Sequence, residues 1–167
     1  MTSVYTILHP TDFSRCAGKA FQAACALARD CGAQLIVLHV LEPVRISAER
    51  RAVELFSPAE PECWEVLGKL RTCEPDVWIE PLMRKGAPVA EILALASNVP
   101  CDLIVMGMHG HAEEALPGLG TVAAAVTRLA CCPVLAVKLP RRAATRSHRE
   151  RRRTAALRPT VDGFGSR

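Results

Sequence analysis

The sequence predicts an α/β protein built on a five-stranded parallel, doubly wound sheet with strand order 3-2-1-4-5. Three observations predict it. Strand-like and helix-like patterns alternate along the chain, as successive crossovers over a parallel sheet require. Two strand segments, residues 34–40 (QLIVLHV) and 103–106 (LIVM), are continuous apolar runs, which suits strands covered on both faces. The chain has 167 residues, 50% of them hydrophobic, enough for one domain with its own core and too little for two. Right-handed crossovers restrict the order of the strands, and in this arrangement the winding reverses between strands one and four.

Residues 4–8 form a short β-rich run that ends at His9-Pro10-Thr11-Asp12. Ser14 is a helix cap, followed at three-four spacing by Ala17, Ala20, Phe21, Ala24, Leu27, Ala28 and Cys31, and Gly32 stops the helix. Residues 34–40 are the second strand. Residues 42–61 mix charges and prolines and read as a long connection, with a short helix over 62–72. Residues 77–83 are strand-like, and Pro81 assigns that strand to an edge. Pro88 opens a helix with Val89, Ile92, Leu93 and Ala96 inward. Residues 103–106 are the fourth strand. Residues 121–130 are a helix with Val122, Ala125, Val126 and Leu129 on one face, and residues 134–137 close the sheet. There is no internal repeat.

Charge divides the chain in two. Residues 139–167 hold nine arginines against Glu150 and Asp162, a balance of +7, whereas residues 1–138 hold 12 basic and 15 acidic residues, or −3. The folded unit is therefore expected over residues 1–140, with a basic, disordered tail over 141–167. The tail is expected to serve as a solubilising segment or to bind polyanions weakly, in a salt-sensitive way. Seven aromatic rings are too few for a platform that stacks single-stranded nucleic acid.

Eight cysteines raise the question of a disulfide framework. They show no CxxC pair and no zinc-finger spacing. The first residues have neither the basic start nor the apolar run of a secretory signal, and no run of 18 apolar residues could cross a bilayer. The expectation is a cytoplasmic protein without membrane association, whose cysteines are reduced and mostly buried. A metal site from Cys101, His109 and His111 has only weak support from spacing, and no metal is expected.

Ligands of such sheets bind beyond the carboxyl ends of the strands, where the winding reverses. The segments after strands one and four should therefore face one crevice. The second of these, residues 107–121, reads GMHGHAEEALPGLGT. Its glycines can take positive φ and let a ligand approach the backbone. Gly120 and Thr121 open a helix whose amides and dipole favour an anion, and Thr121 adds a hydroxyl. The pattern suits a phosphate, although a tight connection with a glycine cap would look the same.

The spacing Gly107-x2-Gly110-x9-Gly120-Thr121 resembles the nucleotide-binding signature of the universal stress protein family, G-2x-G-9x-G-(S/T). ILHPTDFS, LIVLHV, DLIVMGMHG and CCPVLAVK resemble that family's first, second, fourth and last strands, in order, over residues 1–138. The resemblance implies an adenine-nucleotide α-hydrolase-like, Rossmann-like fold and a stress-response regulator. It further implies a homodimer through the last strand and a protein partner of unknown identity. The implied ligand is ATP, alone or with Mg²⁺. Thr11, Asp12 and Val40 would hold adenine and ribose; Gly107, Gly110, Gly120 and Thr121 would hold phosphates. Pro10, Met106, His109 and Val122 complete the candidate set. Asp12 could instead cap the first helix, and Val40 could be a buried strand residue. Two positions depart from the family pattern: Ala123 lacks the second hydroxyl, and Glu113 and Glu114 put negative charge in the loop. They motivate the alternative of an interaction module that binds no nucleotide.

Catalytic motifs are missing. GxxxxGK[ST], GxSxG and HExxH do not occur, and the loop contains no lysine. The expectation is a binding protein and not an enzyme, with any ATP hydrolysis slow and incidental.

Overall fold

The computed structural model describes residues 4–43, 60–110 and 118–139. The order of elements is β1 (Thr6–Thr11), α1 (Arg15–Cys31), β2 (Gln34–Leu41), α2 (Glu60–Cys73), β3 (Ile79–Lys85), α3 (Pro88–Asn98), β4 (Leu103–Gly107), α4 (Thr121–Leu129) and β5 (Val134–Val137). The five strands form one parallel sheet, β3-β2-β1-β4-β5, so the predicted class and order hold. The tail, the loop residues His111, Glu113 and Glu114, and most of the connection after β2 lie outside the described residues.

Side-chain alternation along the strands divides the core into two layers. One layer packs Ile7, Leu35, Val37 and Val105 against Ala20, Phe21 and Ala24 of α1 and Leu67 of α2. The other packs Leu8, Ile36, Leu38, Ile104 and Met106 against Ile92, Leu95 and Ala96 of α3 and Ala123 and Val126 of α4. Each fully buried Leu, Ile or Val stabilises the fold by roughly 1.5–3 kcal/mol. Small residues on the inner face of α1 let it lie close to the sheet.

Helix ends follow the local chemistry. The Ser14 hydroxyl accepts from the Ala17 amide at 3.1 Å, and Gly32 ends α1 in the left-handed conformation at φ 64°. Pro88 occupies the first turn of α3.

The boundaries of β1 differ from expectation. The strand continues through His9, Pro10 and Thr11, all paired to β2, although those residues read as a turn. A proline in a central strand is tolerated here because pairing between β1 and β4 stops at Leu8–Ile104. Beyond that point the Val105 carbonyl accepts from His9 Nδ1 at 2.8 Å. The side chain thus occupies a carbonyl at the place where Pro10 has no amide to offer. The two strands part, and the crevice begins there.

Two further expectations are corrected. In α4 the inward face is Val122, Ala123, Val126 and Ala130, whereas Leu129 is 56% exposed; the three-four pattern reads equally well one position out of phase. The cysteines are not mostly buried: Cys16 and Cys25 are, but Cys63, Cys101 and Cys132 are partly exposed and Cys31, Cys73 and Cys131 exposed. All eight are free thiols. Among the described residues no helix is long and apolar enough to cross a membrane.

Candidate functional site

A cleft of about 390 Å³ opens at the carboxyl edge of the sheet, where β1 and β4 part. All eleven residues nominated from the sequence line it: Pro10, Thr11, Asp12, Val40, Met106, Gly107, His109, Gly110, Gly120, Thr121 and Val122. Sequence reasoning did not nominate Ala17, Leu38, Glu42, Pro88, Ile92, Met108 and Ala123, which also line it. Of these, Pro88 carried a signal, since a proline at the first turn of α3 places that helix end beside the crevice. Glu42, just past β2, carried none.

The turn after β1 is tightly built. Asp12 Oδ1 accepts from the Ser14 amide at 3.0 Å, and Thr11 Oγ1 accepts from the Phe13 amide at 3.1 Å. Asp12 therefore shapes the turn, while Ser14 caps the helix. Phe13 takes φ 61°, the left-handed region, which is strained for a bulky residue. Its ring stacks on His39 with centroids 4.4 Å apart, and His39 Nδ1 donates to the Thr11 carbonyl at 2.8 Å. These contacts hold the strained turn from below.

The glycines act differently from expectation. Positive φ occurs at Gly32, Gly86 and Gly118, and not at Gly107, Gly110 or Gly120. Two of the three are required by close approach instead. A β-carbon at Gly107 would lie 3.0 Å from the Ala17 amide nitrogen, and one at Gly110 would lie 2.8 Å from Asp12 Oδ2. The first contact seats the end of β4 on α1; the second closes the loop onto Asp12. Gly120 is the N-cap of α4 at φ −62° and offers no capping side chain. Its amide donates to the Met108 carbonyl at 2.8 Å, which fixes the start of α4 against the loop. Among the described residues no side chain caps the amino end of α4, whereas Ser14 caps that of α1. Gly120 brings no side chain of its own to that end, and amides at a helix start favour an anion.

The charges lining the cleft are acidic. Asp12 and Glu42 are carboxylates, and no lysine or arginine lines it among the described residues. His109 Nδ1 is buried without a hydrogen-bond partner, a polar atom left for a ligand to satisfy. The apolar share comes from Leu38, Val40, Ile92 and Met106, a surface suited to a flat ring. Of the postulated metal ligands, Cys101 and His109 lie beyond opposite ends of β4 and His111 lies outside the described residues; among the described residues no group of three or more His, Cys, Asp or Glu could hold a metal ion.

His9 lies beneath this site and is fully buried. Desolvation pulls its pKa from 6.5 down to about 4, partly opposed by its bond to Val105 and by Asp12. The ring is neutral near pH 7, and donation to a carbonyl places its proton on Nδ1.

Comparison with known proteins bears on this geometry. Residues 5–138 match the family model described as "Universal stress protein family". The universal stress protein MJ0531 of Methanocaldococcus jannaschii is 32% identical over 141 residues, covering 81% of this chain and 83% of that protein. UspA from Lactobacillus plantarum superposes with TM-score 0.66 at 21% identity, covering 83% of this chain and all of that one. A universal stress protein solved in complex with cAMP superposes with TM-score 0.63 at 25% identity over 83% of this chain and all of that one. The chain belongs to the universal stress protein family.

Proposed function

We propose that this protein is a regulatory binding protein that takes an adenine nucleotide, ATP in the first instance, into the cleft between β1 and β4. The observation that carries the reading is the meeting of Asp12 with Gly110 beside the amino end of α4, whose N-cap, Gly120, has no side chain of its own. One wall offers a carboxylate for ribose or adenine donors, the floor offers apolar side chains, and the far wall offers amides for phosphate. The cAMP complex of a family member supports adenine as the base. His109 Nδ1, buried and unpartnered, would donate to a phosphate oxygen when that nitrogen is protonated. Calorimetry with ATP, ADP and AMP, with and without Mg²⁺, tests the reading. Micromolar to sub-millimolar binding supports it, and no heat at millimolar nucleotide rejects it.

A second reading is an interaction module of the same fold that binds no nucleotide. Ala123 favours it, since this cleft residue is buried and has no hydroxyl. The acidic lining from Asp12 and Glu42 favours it too, because each unshielded carboxylate repels a polyphosphate by about 1 kcal/mol at contact in water. Protein purified without added nucleotide discriminates the two: retained adenine nucleotide excludes the second reading. In either case the protein works by binding and needs no catalytic group.

We also infer a homodimer through β5. That strand is one edge of the sheet, and Leu135 on it and Leu129 at the end of α4 are 41% and 56% exposed, apolar surface that a second copy would cover. Light scattering tests it, and a monomer at high micromolar concentration rejects it.

A further inference from the structure

At the amino edge of the sheet, opposite the cleft, the connections into β4 and β5 run side by side. Ile104 pairs with Val134, and the Ile104 amide donates to the Pro133 carbonyl at 3.0 Å. Cys101 lies just before β4 and Cys132 just before β5, and their sulfurs are 3.8 Å apart. We propose that Cys101 and Cys132 are an oxidant-responsive dithiol that closes to a disulfide and staples the segment forming half of the cleft.

Several observations support this pair over others. The sulfurs are in van der Waals contact, and a disulfide at about 2.05 Å needs them only about 1.8 Å closer. Both residues lie in connecting segments and not within a helix or strand, so small torsional changes suffice. Cys131 is exposed but turned towards α3, where its thiol donates to the Ala96 carbonyl at 3.7 Å and lies 3.8 Å from Ser97 Oγ. A bond between adjacent Cys131 and Cys132 would also need a strained eight-membered ring. Cys101 and Cys132 are both partly exposed.

The chemistry balances with a hydroperoxide as oxidant. One thiol gives up its proton, the thiolate sulfur attacks one peroxide oxygen, the O–O bond breaks, and with hydrogen peroxide a sulfenic acid forms while the departing hydroxide takes up that proton as water. The second sulfur attacks the sulfenic sulfur, the S–O bond breaks, and hydroxide leaves as water with the second thiol proton. Two thiols and one hydrogen peroxide thus give one disulfide and two waters. Burial raises both thiols, Cys101 to about 12, so little thiolate exists near pH 7 and closure is slow. The pair suits sustained oxidant exposure and not a rapid pulse.

The bond would join residues 31 apart, enclosing β4, the glycine loop and α4. It would tie both ends of this segment without touching the cleft itself. The effect expected is a stiffer, more heat-resistant domain.

The test uses the reduced full-length chain exposed to hydrogen peroxide, followed by intact mass, peptide mapping and thermal melting. The expected result is loss of two hydrogens, a Cys101–Cys132 crosslink as the main product, and a raised melting temperature, all reversed by dithiothreitol. Cys131→Ser should retain the crosslink, and Cys101→Ser or Cys132→Ser should lose it. Should either of these fail to fold, mapping in the unsubstituted chain decides alone. A chain that keeps all its thiols, that crosslinks through Cys131, or that goes to sulfinic acid without a disulfide overturns the proposal.

Discussion

Asp12 and Gly110, 98 positions apart in sequence, meet so closely that a β-carbon on Gly110 would lie 2.8 Å from Asp12 Oδ2. The two crevice walls are therefore in contact at one point, and neither can change there without moving the other. Asp12 Oδ1 is already committed to the Ser14 amide, so the carboxylate cannot rotate freely away.

The two loop glycines should consequently respond differently to alanine. At Gly107 the added carbon meets the backbone of Cys16 and Ala17 at 3.1 and 3.0 Å, atoms that cannot yield without shifting α1. Gly107→Ala should cost about 1–3 kcal/mol of stability, read as a lower urea midpoint. Gly110→Ala meets only the Asp12 carboxylate, which yields by loosening its bond to the Ser14 amide, so it should cost less stability than Gly107→Ala, about 1 kcal/mol, while nucleotide affinity falls about tenfold. Equal loss of stability in both would contradict this.

Removing the carboxylate separates its two roles. Asp12→Asn keeps an acceptor for the Ser14 amide, so stability should change little. Asp12→Ala removes it and should cost about 1 kcal/mol, measured by denaturant titration. Both should alter nucleotide affinity, the alanine variant more. If Asn destabilises as much as Ala, the turn depends on charge and not on the acceptor.

Acid should destabilise the fold through His9. Its folded pKa, about 4, lies below the unfolded value of 6.5, so between these limits the unfolded chain binds the extra proton. Stability is then fully present above pH 6.5 and declines as pH falls, levelling off below about pH 4. The full shift is worth up to about 3 kcal/mol. His9→Gln retains a donor for Val105 and should flatten this part of the profile, as urea midpoints from pH 7 to 4 will read. An unchanged slope would show that other groups carry it.

The arginine-rich segment over residues 141–167 has its own test. Truncation after residue 140 should abolish retention on a DNA or heparin column at low salt, with the far-UV spectrum unchanged. Retention that survives truncation would assign it to the folded part.

Where sequence and structure agree, the signal was physical and local. The apolar runs at 34–40 and 103–106 suited strands buried on both faces, and strand order then located the crevice. The glycine spacing drew attention to Gly107 and Gly110, but positive φ is not what they supply: what excludes a side chain there is Ala17 and Asp12, contacts made by residues far away in sequence. Pro10 hid the true end of β1, because a proline is excluded from a central strand unless its neighbour has already diverged. Phe13 at φ 61° leaves no trace in composition, since its support comes from His39 on the next strand. Leu129 follows the helical period of α4 yet faces outward, because the sheet beneath selects the neighbouring stripe.

The central claim is that the turn at Asp12 and the start of α4 hold one adenine nucleotide between them. Amide chemical shifts of the ¹⁵N-labelled protein, recorded during a titration with ATP, test it most directly. Saturable shifts are expected at Asp12, Val40, Gly107–Gly110 and Gly120–Ala123, with Cys101 and Cys132 unmoved. A spectrum unchanged at millimolar nucleotide, or shifts confined to the amino edge of the sheet, would contradict it.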